Sequence, residues 1–173
     1  DLAPRLKDRF NHTIKIIFCP ETIGSLAYML TQDISKVDFV VALDAVGNDS
    51  SLLVQKSFNE DDKLNWAFHL ALQSCGKDYR KGQFRFLIGS DEYAFNDPKI
   101  GIPGIMLSRY PYDRYHTSLD TPDIVLDEKL KDTQDFIVKL IEVVEGNYTP
   151  VRNFTGPLMR SRFGMQTFNK EYN

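Results

Sequence analysis

The chain alternates between apolar runs of strand character and apolar residues recurring at helical spacing. Residues 2–10 predict the end of a helix, with the basic residues favoured near a C-terminus. Residues 13–18, Thr-Ile-Lys-Ile-Ile-Phe, are β-branched and mostly apolar and predict a buried strand, ended by Pro20. Residues 22–31 predict a helix with Ile23, Leu26, Ala27 and Leu30 on its inner face. Residues 37–46 form a second strand, almost wholly apolar, as in strands covered on both faces. A turn over Gly47-Asn48-Asp49-Ser50 leads to a shorter strand at 52–57. Residues 61–75 predict an amphipathic helix with Leu64, Ala67, Phe68, Ala71 and Leu72 as its inner stripe, stopped by Gly76. An alternating strand is expected at 83–88, a polar loop at 89–101, and a short strand at 105–108. A second long polar loop, rich in Tyr, Asp, Pro and His, covers 110–123. Residues 129–144 predict a helix through Leu130, Phe136, Ile137, Leu140, Ile141 and Val144, ended by Gly146.

Strands alternating with helices imply an α/β fold, a layered sheet of mostly parallel strands flanked by helices. Two long polar loops after strands are where such folds place chemistry. Residues 1–146 form the domain portion. Residues 147–173 are basic, aromatic and aperiodic, and read as a tail or a linker to a further domain. No internal repeat or low-complexity tract interrupts the chain.

Composition narrows the function classes. The 173 residues are 42% hydrophobic and 26% charged, with 21 basic and 24 acidic side chains and a net charge of −3. That balance argues against a nucleic-acid surface and against electrostatic attachment to a membrane. Cys19 and Cys75 are too few for a disulfide framework and read as buried thiols, pointing to a reducing, cytoplasmic compartment. Four sequons, at Asn11, Asn48, Asn147 and Asn153, keep a secreted protein open. No leader and no apolar run of membrane-spanning length is present. The chain opens Asp1-Leu2-Ala3-Pro4, without Met, which reads as a cut inside a longer protein.

Glu21 follows the first predicted strand at the mouth of a helix; it is either a functional carboxylate or a helix-start acid worth under ~1 kcal/mol. Asp44 lies near the end of the most apolar strand, where a carboxylate is costly unless it is paired, binds a cation or turns to bond local amides. His116 lies in Tyr115-His116-Thr117-Ser118-Leu119-Asp120-Thr121 and is either a solvated loop residue or a metal ligand with Asp120 or a carbonyl orienting its second nitrogen. Asp91 and Glu92 follow another strand and either line a site or cap a turn. His12 and His69 are poorer candidates, in a turn and on a core-flanked helix. No phosphate loop, H-E-x-x-H, C-x-x-C or G-x-S-x-G pattern occurs.

Three segments taken in order resemble one family: Phe18-Cys19-Pro20-Glu21-Thr22-Ile23-Gly24-Ser25, then Leu43-Asp44-Ala45-Val46-Gly47, then Gly89-Ser90-Asp91-Glu92 through Gly101-Ile102-Pro103 to the His116 loop. The order resembles the co-catalytic zinc aminopeptidases, the group containing bacterial leucyl aminopeptidase and glutamate carboxypeptidase. Within it the chain is most similar to bacterial aminopeptidase-like proteins linked by name to polysaccharide biosynthesis. The resemblance spans residues 13–144 and implies the C-terminal part of such a domain.

It also implies roles. Glu21 would be the general base, Asp44 and His116 zinc ligands, and Tyr115, Asp91, Glu92 and Asp120 residues of the surrounding pocket. The family's second Glu of a Glu-Glu pair is Thr22 here, which leaves Glu21 open to either the base or the ligand role. The resemblance expects a further His and a bridging Asp upstream, supplied by a preceding segment or a partner chain. One or two zinc ions would polarise a scissile carbonyl and acidify bound water, and Glu21 would pass that water's proton to the leaving amine. The substrate would be a peptide or small amide with a free amino end. The rival reading is a catalytically inactive binding or scaffolding module.

Overall fold

The computed structural model describes residues 2–76, 79–148 and 151–157. Its elements are α1 (Ala3–Leu6), α2 (Ile23–Thr31), β1 (Val40–Asp44), β2 (Leu52–Gln55), α3 (Lys63–Cys75), β3 (Arg80–Gly82), α4 (Glu92–Phe95), β4 (Gly104–Arg109) and α5 (Asp127–Gly146), with a 3-10 turn at Pro122–Ile124. The strands form one sheet in the order β1-β4-β2-β3. β1 pairs parallel with β4 and β2 parallel with β3, while β2 and β4 run antiparallel. The sheet is therefore mixed, with helices on both faces: the α/β fold that the alternation predicts.

One face carries the main core. Leu52, Val54, Ile105 and Leu107 meet Leu64, Phe68, Ala71 and Leu72 of α3 and Phe136, Ile137 and Leu140 of α5. These helical residues recur at three- and four-residue spacing, so each helix turns a single apolar stripe to the sheet. α3 stops at Gly76, whose φ of 63° is the left-handed cap that glycine adopts without a Cβ penalty. On the other face Leu53, Gln55, Met106 and Ser108 are buried beneath α4 and its flanking loops. There the Gln55 amide donates to the Ile88 carbonyl, and Asn96 donates to the Gly104 carbonyl at the start of β4. At the far end of β4, Arg109 donates to the carbonyls of Val46 and Ser50 and pairs with Asp132 of α5, tying sheet to helix.

Several sequence expectations are corrected. Residues 13–18 are irregular rather than a buried strand: none of residues 13–19 takes part in a backbone–backbone hydrogen bond among the described residues, and Phe18 is 96% exposed. A β-branched apolar run becomes a strand only where a neighbour offers its ladder, and none does here. The apolar stripe of α2 faces outward, with Ile23 76% and Leu30 86% exposed, and Ser25 is its one buried residue. Residues 83–88 form turns rather than a strand; the strand precedes them as β3. Arg85 has a φ of 52°, which breaks extended geometry in the middle of the alternating run. Cys19 is exposed and Cys75 is only half-buried, so neither is the fully buried thiol expected. Asn48 is buried, with its amide nitrogen donating to the Ala45 and Arg109 carbonyls, so that sequon presents no accessible acceptor. The tail expected over 147–173 lies largely outside the described residues. Among the described residues no helix is long and apolar enough to cross a membrane.

Candidate active site

Because β1 and β4 run parallel, their C-terminal ends share one edge of the sheet. β1 ends there at Asp44, and β4 runs from there into the loop that carries His116. Asp44 lies in register opposite Ser108, so both side chains emerge on the same face. Glu21 reaches this edge because the Thr22 N–H donates to Asp91 Oδ1 at 2.8 Å, tying the chain after Glu21 to the entry of α4.

The backbone is strained at each of these three places. Thr22, Ala45 and His116 have φ values of 62°, 50° and 58°, a region that non-glycine residues seldom occupy. One adjoins Glu21, one follows Asp44 and one is the histidine itself. Strain of this kind persists only when neighbours enforce it, and it concentrates at functional sites. Two enforcers are visible. Asp91 holds the Thr22 N–H, and Asn48 donates to the Ala45 carbonyl at 2.9 Å while its oxygen accepts the Ser50 N–H.

The edge is negatively charged. Burial raises the Asp44 carboxyl above the usual aspartate value; the nearby charges of Glu21, Asp91 and Asp120 raise it further, against a hydrogen bond from the Ala45 backbone. Burial also raises the Tyr115 hydroxyl, aided by the nearby charges of Asp44 and Glu21. The His116 ring stacks on Tyr115 at 3.9 Å between centroids. Asp120 Oδ2 receives the Tyr112 hydroxyl at 2.8 Å, which braces the loop. Glu92 is 1% exposed; its Oε2 accepts the Ser90 N–H while its Oε1 has no partner, and burial raises its carboxyl. The buried Ser108 hydroxyl beside Asp44 also has no partner. Sequence reasoning missed Ser108, Asn48 and Tyr112: Ser108 sits in an apolar strand and the other two in ordinary turn and loop compositions. Of the remaining histidines, His12 bonds Glu145 and His69 stacks on Phe68.

The donor types suit zinc, carboxylate and imidazole, but the donor number does not. A zinc site with open chemistry needs three protein ligands, and among the described residues no three His, Cys, Asp or Glu side chains stand close enough to hold an ion.

Known proteins share this architecture. A Clostridium acetobutylicum protein, named for polysaccharide biosynthesis and an aminopeptidase-like domain, is 28% identical over 149 residues, covering 84% of this chain and 34% of its own length. A crystal structure of a protein from that organism, described as a peptidase, superposes with a TM-score of 0.69 at 26% identity, over 84% of this chain and 36% of that one. A zinc aminopeptidase of Bacillus subtilis superposes with a TM-score of 0.59 at 19% identity, over 75% and 34% of the two chains, and shares the fold. The chain thus spans about a third of the length of these relatives. The aminopeptidase-like fold that the motifs imply is the one observed. Residues 1–147 match the family described as a domain of unknown function, DUF4910, and the chain belongs to that family.

Proposed function

We propose that this chain supplies part of the active site of a zinc-dependent, aminopeptidase-type hydrolase of peptide or amide bonds. What supports the reading is that the charges of Asp44 and Glu21 both act on Tyr115, the neighbour of His116, and that the backbone is strained at Thr22, Ala45 and His116. In this reading Asp44 and His116 hold metal together with donors from outside residues 1–173, either an upstream segment or a partner chain. Zinc in such a setting polarises a carbonyl and acidifies water. Glu21 takes the proton of the attacking water and returns it to the leaving amine. Asp91 fixes the backbone beside Glu21, and Tyr115 packs against His116.

The test uses the full-length parent protein, with zinc content and release of N-terminal amino acids as readouts. His116→Ala and Asp44→Ala are expected to lower zinc content. Glu21→Gln is expected to keep zinc and lower turnover by ~10²–10⁴-fold, the usual worth of a positioned proton shuttle. Loss of zinc in Glu21→Gln would make Glu21 a ligand instead. The 173-residue chain alone is expected to show little or no activity.

One observation favours a second reading, an inactive binding or scaffolding module: Thr22 stands where the family carries a second carboxylate. A parent protein that binds no zinc and releases no amino acid from any peptide would establish it.

A further inference from the structure

α3 turns Leu64, Ala67, Phe68, Ala71 and Leu72 to the core, yet two large apolar residues lie off that stripe. Trp66 is 71% exposed and Leu70 43%. Four residues apart, they share one side of the helix. With Val143, Gly146 and Asn147 at the end of α5 they line a surface groove of about 300 Å³, the lower end of the range that binding pockets span. Gly146 leaves its wall bare, with no neighbouring side chain within 4 Å of the place a Cβ would take. A large aromatic side chain left in water beside an apolar groove marks a contact surface.

The course of the chain identifies the occupant. α5 ends at Gly146, and the next residue, Asn147, lines the groove, so the chain leaves the helix at the groove's mouth. The family match ends at the same residue. Tyr148, Val151 and Phe154 follow and are exposed, so they leave the groove open. The next stretch, Leu158-Met159-Arg160-Ser161-Arg162-Phe163-Gly164-Met165, intersperses apolar residues with arginines. The groove's surroundings match both kinds. Its walls are apolar, and Glu60 and Asp61, both exposed, lead into α3 just ahead of Trp66. Leu158 follows Asn147 by eleven residues, a tether of up to ~40 Å against the ~8–10 Å that separates packed helices. We propose that residues 158–165 fold back into the groove between α3 and α5, setting apolar side chains against Trp66 and arginines toward Glu60 and Asp61. The hydrolase reading is not involved, because no residue of the candidate active site lines the groove.

Oxidative footprinting of the full-length parent, read residue by residue by mass spectrometry, tests it. Replacing Leu158, Met159 and Phe163 together by Ser is expected to speed oxidation of Trp66 by about 5–30-fold, the factor that loss of one or two apolar anchors gives. Phe86, as exposed as Trp66 and remote from the groove in sequence, should react alike in both proteins. The reciprocal variant Trp66→Ser changes an exposed position and leaves the core intact, and it is expected to speed oxidation of Met159 and Met165. Equal reactivity of Trp66 in wild type and in the Leu158, Met159 and Phe163 variant overturns the proposal, whether Trp66 is open in both or covered in both by another segment. So does protection of Trp66 that grows with protein concentration, which would make the occupant a second copy.

Discussion

Two helices of this protein carry the same kind of pattern and meet opposite fates. α3 repeats Leu64, Ala67, Phe68, Ala71 and Leu72 along one side, and all five are buried against the sheet and α5. α2 repeats Ile23, Leu26 and Leu30, and all three are exposed. Burying a large apolar side chain stabilises by about 1.5–3 kcal/mol, so α3 is held by its core face while α2 gains almost nothing from its own. The difference teaches that periodicity announces a face that needs a partner and says nothing of where the partner lies. α3 has its partners within the chain. Among the described residues α2 has none for its apolar face, and its backbone is held through its neighbours, above all the bond from Thr22 to Asp91.

The largest expected effect separates the two helices directly. Phe68→Ala, at a fully buried position, is expected to cost about 3–5 kcal/mol in urea unfolding of the 173-residue chain. Leu30→Ala in the same chain is expected to fall within about 0.5 kcal/mol of wild type, as surface changes do. Equal costs for Phe68→Ala and Leu30→Ala would overturn the contrast between the two helices.

The same distinction explains how far the sequence could be read. α3, α5, β1, β2 and β4 were legible because their apolar residues satisfy one another inside the chain, so local period and tertiary contact agree. Residues 13–18 were misjudged because a strand is a relation between segments, and β propensity reports only one side of it. Residues 83–88 were misjudged because alternation over six positions says nothing of the left-handed backbone at Arg85. At the site, the motifs single out Glu21, Asp44 and His116, and the parallel β1–β4 pairing explains why the segments of Asp44 and His116 leave the sheet at one end. Their supports were not legible. Asn48 and Asp91 act on backbone groups far from them in sequence, and no local pattern encodes such a bond.

The tie between the two regions gives a smaller effect. Asp91→Ala removes the acceptor of the Thr22 N–H, and Asp91→Asn keeps an oxygen in its place. The alanine variant is expected to lower the local opening free energy at Thr22 by about 1–2 kcal/mol, read as a ~5–30-fold faster amide exchange. The asparagine variant should lose less than half of that. In the parent, the hydrolase reading further expects Asp91→Ala to lower turnover with zinc retained, and Asp91→Asn to recover most of it. Identical exchange in the two variants would remove Asp91 as the link that holds α2 and Glu21 to the core.

The smallest effect concerns the cost of the site itself. Asp44 has its carboxyl raised first by burial and then by Glu21, so the folded chain retains this proton to a higher pH than the unfolded chain does. Between the ordinary aspartate value and the raised one the native state binds more protons, and stability falls as pH rises through that window. Above it the penalty is complete; well below it, both states are protonated and the penalty vanishes. Asp44→Asn removes the charge and keeps the shape. At pH 7 it is expected to raise the Tm of the metal-free chain by about 1–3 °C, a modest gain because the group is partly solvated. Near pH 3 the two proteins should melt together. A variant less stable than wild type at pH 7 would show that Asp44 is a satisfied structural carboxylate. The expected gain would mark it as a group kept at the expense of stability, as functional residues are.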